Sequence, residues 1–131
     1  MLIEVKKENL KNGSFRLFMD EFFDLTVFFG ASNEITAFQL SYKKPSDEHS
    51  LEWQKDSGFL HSRVDDGESS PLHNDSPILL KDGPFPHKDI SRRFIESSKD
   101  IDSKVAAFIG KKILEAGKKL PTKRRKKSRR T

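Results

Sequence analysis

The chain of 131 residues contains no cysteine. It therefore forms no disulfide, holds no thiolate-bound metal and has no cysteine nucleophile. Small secreted domains usually depend on disulfides, so we expect a reducing compartment: the cytoplasm, or the nucleus if the source is eukaryotic. Tryptophan and tyrosine occur once each, against eleven phenylalanines. Phenylalanine has no polar group, so these rings are expected to form the core.

Long apolar runs are also missing. A membrane-spanning helix needs about 20 apolar residues, and the longest apolar cluster, residues 22–29, is interrupted by Asp24 and Thr26. Residues 1–10 contain acidic side chains and no apolar core, so we expect no signal peptide there. These absences favour a protein that has no membrane among its partners.

Negative charge is missing from the last fourteen residues, which carry nine cations. The cations are Lys118, Lys119, Lys123, Arg124, Arg125, Lys126, Lys127, Arg129 and Arg130. The whole chain has 25 Lys and Arg against 20 Asp and Glu, so residues 1–117 hold 25 − 9 = 16 cations and a formal charge of 16 − 20 = −4. We predict one domain over residues 1–117, followed by a disordered basic tail, residues 118–131.

Alternating apolar and polar side chains predict an antiparallel meander of about five strands. The pattern runs through residues 15–29, as one long bent strand or as two, and returns in 35–43, 49–55 and 59–64. Residues 78–80 are a candidate for one more strand. Residues 1–14 are mixed and polar, and residues 65–77 have the composition of a polar loop, so neither range is predicted as strand.

The spacing of apolar residues becomes helical after Pro86. Asp89 is the expected N-cap of a first helix, and Asp102 that of a second. Gly117 is the expected residue just after the second helix ends. The second segment places five apolar side chains on one helix face: Ile101, Val105, Phe108, Ile109 and Ile113. Strands first and helices last indicate an α+β domain with the helices on one face of the sheet.

The basic tail indicates contact with polyanions. Lysine and arginine neutralise phosphates and release counterions, which gives salt-sensitive binding to DNA or RNA without regard to sequence. The tail contains no aromatic residue, so it cannot stack on bases. In a eukaryotic protein, residues 123–127 would also serve as a nuclear import signal. The alternative is a solubilising terminus with no dedicated partner.

A cluster of polar residues follows the predicted strand 59–64. Asp65, Asp66 and Glu68 offer oxygen ligands for Mg²⁺ or Ca²⁺, and His61 lies two side-chain repeats before Asp65 on an extended chain. Together with the basic tail, this cluster would make a metal-assisted phosphodiester hydrolase. The alternative is a turn whose Asp side chains cap backbone amides, which needs no metal.

Two further interpretations concern histidines and phenylalanines. We expect the histidines at the surface, although the first two could meet across a hairpin as a zinc site; they are His49, His61, His73 and His87. Phe18, Phe22 and Phe28 cannot all share one sheet face with Phe23. If the second face is uncovered, it exposes an apolar patch for a protein partner or a homodimer; otherwise both faces are buried.

Three segments in one order resemble a small uncharacterised bacterial protein family of unknown function. They are Phe-Gln-Leu-Ser-Tyr at 38–42, Glu-His-Ser-Leu-Glu-Trp at 48–53 and His-Ser-Arg-Val-Asp-Asp-Gly-Glu at 61–68. The likeness covers residues 22–116 and leaves out the basic tail. It implies a bacterial source and makes the tail an addition to the family's core, but it brings no activity, ligand or catalytic residue.

These observations favour a non-catalytic binding module without a cofactor, held near nucleic acid or another polyanion by its basic tail. The sequence assigns no catalytic residue to this function. The alternative is the metal-assisted hydrolase, with a divalent metal at Asp65, Asp66, Glu68 and His61.

Overall fold

A computed structural model of the chain describes residues 1–43, 48–64, 79–81 and 85–119. One antiparallel sheet has its strands in chain order, and two helices follow the last strand. The elements are β1 Ile3–Leu10, β2 Gly13–Met19, β3 Phe23–Phe29, β4 Ile35–Tyr42, β5 His49–Gln54, β6 Gly58–Val64, β7 Leu79–Lys81, α1 His87–Ser97 and α2 Ser103–Lys119. The predicted α+β meander with two C-terminal helices is confirmed.

The sheet has seven strands, two more than the sequence predicts. One addition is β1, an edge strand in which every side chain is exposed, so its sequence shows no apolar alternation. Its pairing with β2 is interrupted by a bulge between Glu4 and Lys6. A bulge and lysine side chains both protect an open sheet edge from pairing with other chains.

Residues 15–29, left open as one bent strand or two, form two strands, β2 and β3, and this also raises the count. Asp20 makes the turn between them, and its Oδ1 accepts hydrogen bonds from the amides of Phe22 and Phe23 at 2.8 and 2.7 Å. An aspartate that bonds the backbone two residues onward is a common turn former. In the sequence, apolar residues stay at odd positions on both sides of this turn, although the turn moves odd positions from one sheet face to the other. The sequence pattern therefore does not reveal the turn.

Cross-strand pairing separates the two faces of the sheet. One buried row crosses five strands by direct pairs: Phe18, Leu25, Leu40, Leu51 and His61. Both helices cover this face, which we call the helix face. The Phe94 ring of α1 lies 5.8 Å from that of Phe23, and the Phe108 ring of α2 lies 5.5 Å from that of Trp53.

Phe18, Phe22 and Phe28, whose sheet face the sequence left open, occupy three different environments in the structure. Phe18 is fully buried on the helix face because the turn at Asp20 resets the alternation. Phe22 lies in that turn, with the Arg93 guanidinium 4.2 Å from its ring centre. Phe28 is 36% exposed on the opposite side of the sheet, which we call the outer face. Of the two alternatives left open by the sequence, an exposed apolar side chain on the second face is thus observed for Phe28.

Two of the three predicted helix boundaries change. α1 begins at His87, two residues before the predicted cap Asp89, because the amide of Ile90 bonds the Pro86 carbonyl. Asp102 caps α2 as predicted, with its Oδ1 2.9 Å from the Lys104 amide. Gly117 does not end the helix, because α2 continues to Lys119.

Gly117 has a packing role instead. A Cβ built at this position would overlap the imidazole ring of His87, so the missing side chain lets the end of α2 approach the start of α1. Gly110 occupies the same helix, and a Cβ there would meet no atom within 4 Å. The two glycines therefore differ in their surroundings although they share one element.

We predict that Gly110→Ala stabilises the domain by about 1 kcal/mol, because alanine is the better helix former and fits without contact. Gly117→Ala is expected to be destabilising relative to Gly110→Ala, because the new Cβ must displace the His87 ring. Urea unfolding of both variants measures the difference. Equal stabilisation by the two substitutions would contradict the close helix contact.

Arg16 joins three elements on the helix face. Its guanidinium forms a bidentate pair with Glu4 of β1, at 3.0 and 2.8 Å, and a third bond with Asp102 at the start of α2, at 3.0 Å. The Arg16 hydrogen bonds hold the pKa of Glu4 and of Asp102 below their ordinary values; for Asp102 the amide of Lys104 also contributes. The edge strand, its neighbour and α2 are thus connected by one cation.

We predict that Arg16→Met destabilises the protein by about 1 kcal/mol at neutral pH, a value reduced for partial exposure. Both carboxylates have lowered folded pKa values, so their contribution is present above the unfolded pKa values and is lost as the pH falls through the folded ones. The difference from the wild type should therefore vanish in acid, as measured by unfolding at neutral and acidic pH. Arg92→Met, which removes an exposed pair with Asp89, is the control and should change little.

Candidate functional site

Three lysines form a stripe along the solvent side of α2. Lys104, Lys111 and Lys118 are exposed and recur every seven residues. Seven residues are nearly two helical turns, so the three side chains point in one direction over a length of about 21 Å. The opposite side of the helix is buried against the domain through Val105, Ile109, Ile113 and Ala116. We call the three residues the lysine stripe.

One carboxylate of α2 lies beside this stripe, four residues after Lys111 and three before Lys118. The helix carries one carboxylate, Glu115, which is half-buried and bonds the Lys112 ammonium at 3.2 Å. Lys112 also lies 4.4 Å from the ring centre of Trp53, so this pair packs against the sheet. Lys118 and Lys119 form the last turn, where cations are favoured by the helix dipole.

The basic region begins earlier than the sequence prediction places it. Lys118 and Lys119, the first two cations of the predicted tail, belong to α2. The other seven, Lys123, Arg124, Arg125, Lys126, Lys127, Arg129 and Arg130, lie outside the described residues. From Ser103 onward the chain has 12 cations and one carboxylate, a formal +11, which leaves 13 − 19 = −6 for residues 1–102. The change of sign coincides with the start of α2.

His61 lies in an aromatic cluster at one end of the helix face. Its Nε2 is 2.6 Å from the Tyr42 hydroxyl, and the side chain is only 7% exposed. Its ring stacks on that of His49 at 6.0 Å and lies 5.0 Å from that of Phe85. The predicted surface position is therefore wrong for His61. Strand β5 lies between β4 and β6, and this arrangement brings Tyr42 of β4 within hydrogen-bond distance of His61 of β6.

The predicted metal site is only partly visible. Asp65, Asp66, Glu68 and the fourth histidine, His73, lie outside the described residues, so their predicted roles stay predictions. His49 and His61 do come together, as the zinc hypothesis requires. In the described part of the chain, however, no three His, Asp or Glu side chains are grouped to hold a metal ion. The geometry at His61 is that of a packed, hydrogen-bonded histidine.

None of the helices in the described ranges is long and apolar enough to cross a membrane. Comparison of the chain with protein-family models, with curated proteins and with solved structures finds no match. The resemblance of residues 22–116 to a bacterial family therefore stays a prediction. Any function proposed for the chain rests on its own residues and their arrangement.

Sequence reasoning missed Lys104 and Lys111 as members of the basic surface. Their spacing of seven from Lys118 was the available signal, since such spacing aligns side chains on a helix. The Tyr42–His61 bond had no comparable signal. These residues are nineteen positions apart on two strands that are not neighbours, and only the placement of β5 between them relates the two.

We predict that Tyr42→Phe destabilises the protein by about 1–3 kcal/mol, because it removes a hydroxyl that bonds His61 in a buried site. Urea unfolding measures the loss. Thr36→Val is the control: it removes a hydroxyl that makes a long, exposed bond of 3.4 Å to the Phe28 carbonyl. If both substitutions lowered the free energy of unfolding equally, the buried bond would contribute no more to stability than the exposed one.

Proposed function

We propose that this protein is a non-catalytic binding module that is held on nucleic acid, or on another polyanion, by α2 and the basic tail. The observation that carries the proposal is the lysine stripe, which is exposed along its whole length and leads into the seven cations of residues 120–131. Lysine is a flexible point charge that suits contact with phosphates. The stripe adds a folded contact to what would otherwise be a tether alone.

The charge distribution supports one orientation on a polyanion. Residues 1–102 are formally −6 and would be repelled by phosphates, whereas the part from Ser103 onward is +11. Opposed signs of this kind steer the basic side toward the ligand and keep the acidic side away. The proposed phosphate contacts are therefore made mainly through α2 and the tail.

The proposed binding is independent of base sequence. Ammonium and guanidinium groups at the stripe and tail match phosphates, and phosphate contacts carry no sequence information. Neither the lysine stripe nor the tail includes an aromatic residue. Affinity should consequently fall steeply as salt rises, because each contact releases counterions from the nucleic acid.

We predict that the triple variant Lys104→Gln, Lys111→Gln and Lys118→Gln of the full chain binds duplex DNA more weakly and with a shallower salt dependence. Each lost phosphate contact lowers the slope of log K against log salt by about 0.9, so the three together lower it by up to about 2.7. Fluorescence anisotropy of a labelled duplex across a salt titration gives both quantities.

The matched control removes three other exposed lysines that lie outside the basic region, Lys55→Gln, Lys88→Gln and Lys99→Gln. It changes the net charge equally and should leave the slope near that of the wild type. Equal loss in both triple variants would contradict a defined surface. Cleavage of the DNA that requires Mg²⁺ and is lost in Asp65→Asn and Asp66→Asn would instead support the hydrolase.

A further inference from the structure

We infer that the outer face of the sheet binds the bases of single-stranded nucleic acid by stacking them on Phe15 and Phe28. The inference rests on the proposed function, in which α2 and the tail bind the phosphates. The basic surface alone does not distinguish single-stranded from double-stranded nucleic acid, and the inference specifies the single-stranded form.

Phe15 and Phe28 are directly paired across β2 and β3. Their ring centres are 6.1 Å apart and the ring planes are inclined by 51°, so the rings lie side by side on the outer face. Phe15 is half-buried and Phe28 is 36% exposed, although exposing a phenyl ring to water is unfavourable. Adjacent aromatic side chains on an uncovered sheet are a stacking surface for unpaired bases.

The neighbours of this pair suit base edges. Thr26 lies next along β3 on the same face, and the amides of Gln39 and Gln54 are exposed there on β4 and β5. Hydroxyl and amide groups can each donate and accept hydrogen bonds, as the edges of bases require. Apolar side chains also border the pair, since Leu17 lies two residues beyond Phe15 on the same face and Ala37 is paired with Phe28. By themselves, two partly buried rings present less area than the about 800 Å² that a stable protein interface needs from each partner.

Positive charge connects this patch to the lysine stripe. The Lys6 ammonium lies 5.9 Å from the Phe15 ring centre, and Lys7 is exposed on the same edge strand. The stripe starts at the same edge, because Asp102 at the beginning of α2 bonds Arg16, the neighbour of Phe15 in β2. A strand could thus cross the β1 edge with its phosphates on lysines and its bases on the rings.

The carboxylates of the outer face lie elsewhere or are paired. Glu8 faces Phe15 and lies 3.6 Å from the Lys6 ammonium, so these two charges offset each other and the phosphate contacts at this edge are assigned to Lys7 and the lysine stripe. Asp24 is four residues from Phe28 along β3, which is about 13 Å, and Glu52 is on β5, two strands away. The far end of this face also differs in burial, since Ser41, Ser50 and Ser62 are buried there. The aromatic pair is therefore the part of the face that suits a base.

We predict that the full chain binds single-stranded DNA or RNA more tightly than a duplex of the same length. The double variant Phe15→Leu and Phe28→Leu should lose roughly tenfold in single-strand affinity for each ring removed. Its duplex affinity and its salt slope should not change, because no charge is altered. Leucine keeps an apolar side chain in each strand, and thermal unfolding checks that the variant is folded.

Phe22→Leu, the same substitution in the turn beneath Arg93, is the matched control and should keep the single-strand preference. Photocrosslinking of a 5-iodouracil oligonucleotide to the wild type should label Phe15 or Phe28. Equal binding of single strand and duplex, or an unchanged affinity in the double variant, would overturn the inference. The inference would also be overturned if analytical ultracentrifugation showed a wild-type dimer, the double variant were monomeric, and the two bound single strands equally well.

The two proposals fail in different ways. If the lysine-stripe variant loses affinity for both nucleic acids while the phenylalanine variant binds as the wild type does, the proposed function stands and the stacking surface is wrong. If the lysine-stripe variant binds like the wild type, the proposed contact through α2 is wrong whatever the phenylalanine variant shows, and any binding that is left belongs to the tail alone.

Discussion

The orientation of α2 on the sheet is the constraint on which the other features of the molecule depend. Val105, Ile109 and Ile113 are buried, and full burial of one such side chain stabilises the fold by about 1.5–3 kcal/mol. Surface charges contribute far less, so the apolar side decides how the helix is rotated. Once it is rotated in this way, the opposite side must face solvent. The lysine stripe is therefore positioned by the core and is held in spite of mutual repulsion.

The sheet separates its two faces by the same logic. Strict cross-strand pairing sends Phe18, Leu25 and Leu40 toward the helices, and the residues between them toward the outer face. Both described helices lie on the helix face, α1 reaching Phe23 through Phe94 and α2 reaching Trp53 through Phe108. Phe28 on the outer face is therefore accessible to solvent, whereas the phenylalanines under the helices are buried. The proposed phosphate contacts and the proposed base stacking would then use different elements of one small domain.

The fold class was predictable because it follows from local periodicity. Alternation along β3 to β6 and the apolar spacing in α2 are properties of neighbouring residues. β1 was not predictable, since an edge strand with all side chains exposed needs no apolar pattern and is held by its pairing with β2. The role of Gly117 depends on His87, thirty residues earlier, and the burial of His61 depends on Tyr42. Such long-range contacts are decided by packing and leave no local trace in the sequence.

The lysine stripe and the tail differ in how binding relates to folding. The stripe exists as one surface only while α2 is helical and packed on the sheet. A polyanion bound to it therefore binds the folded state in preference to the unfolded one and must stabilise the domain by mass action. Contact through the seven cations beyond residue 119 does not require that geometry, so it need not change the stability. Measuring how unfolding depends on added nucleic acid would consequently separate the proposed contact through the stripe from contact through the tail alone.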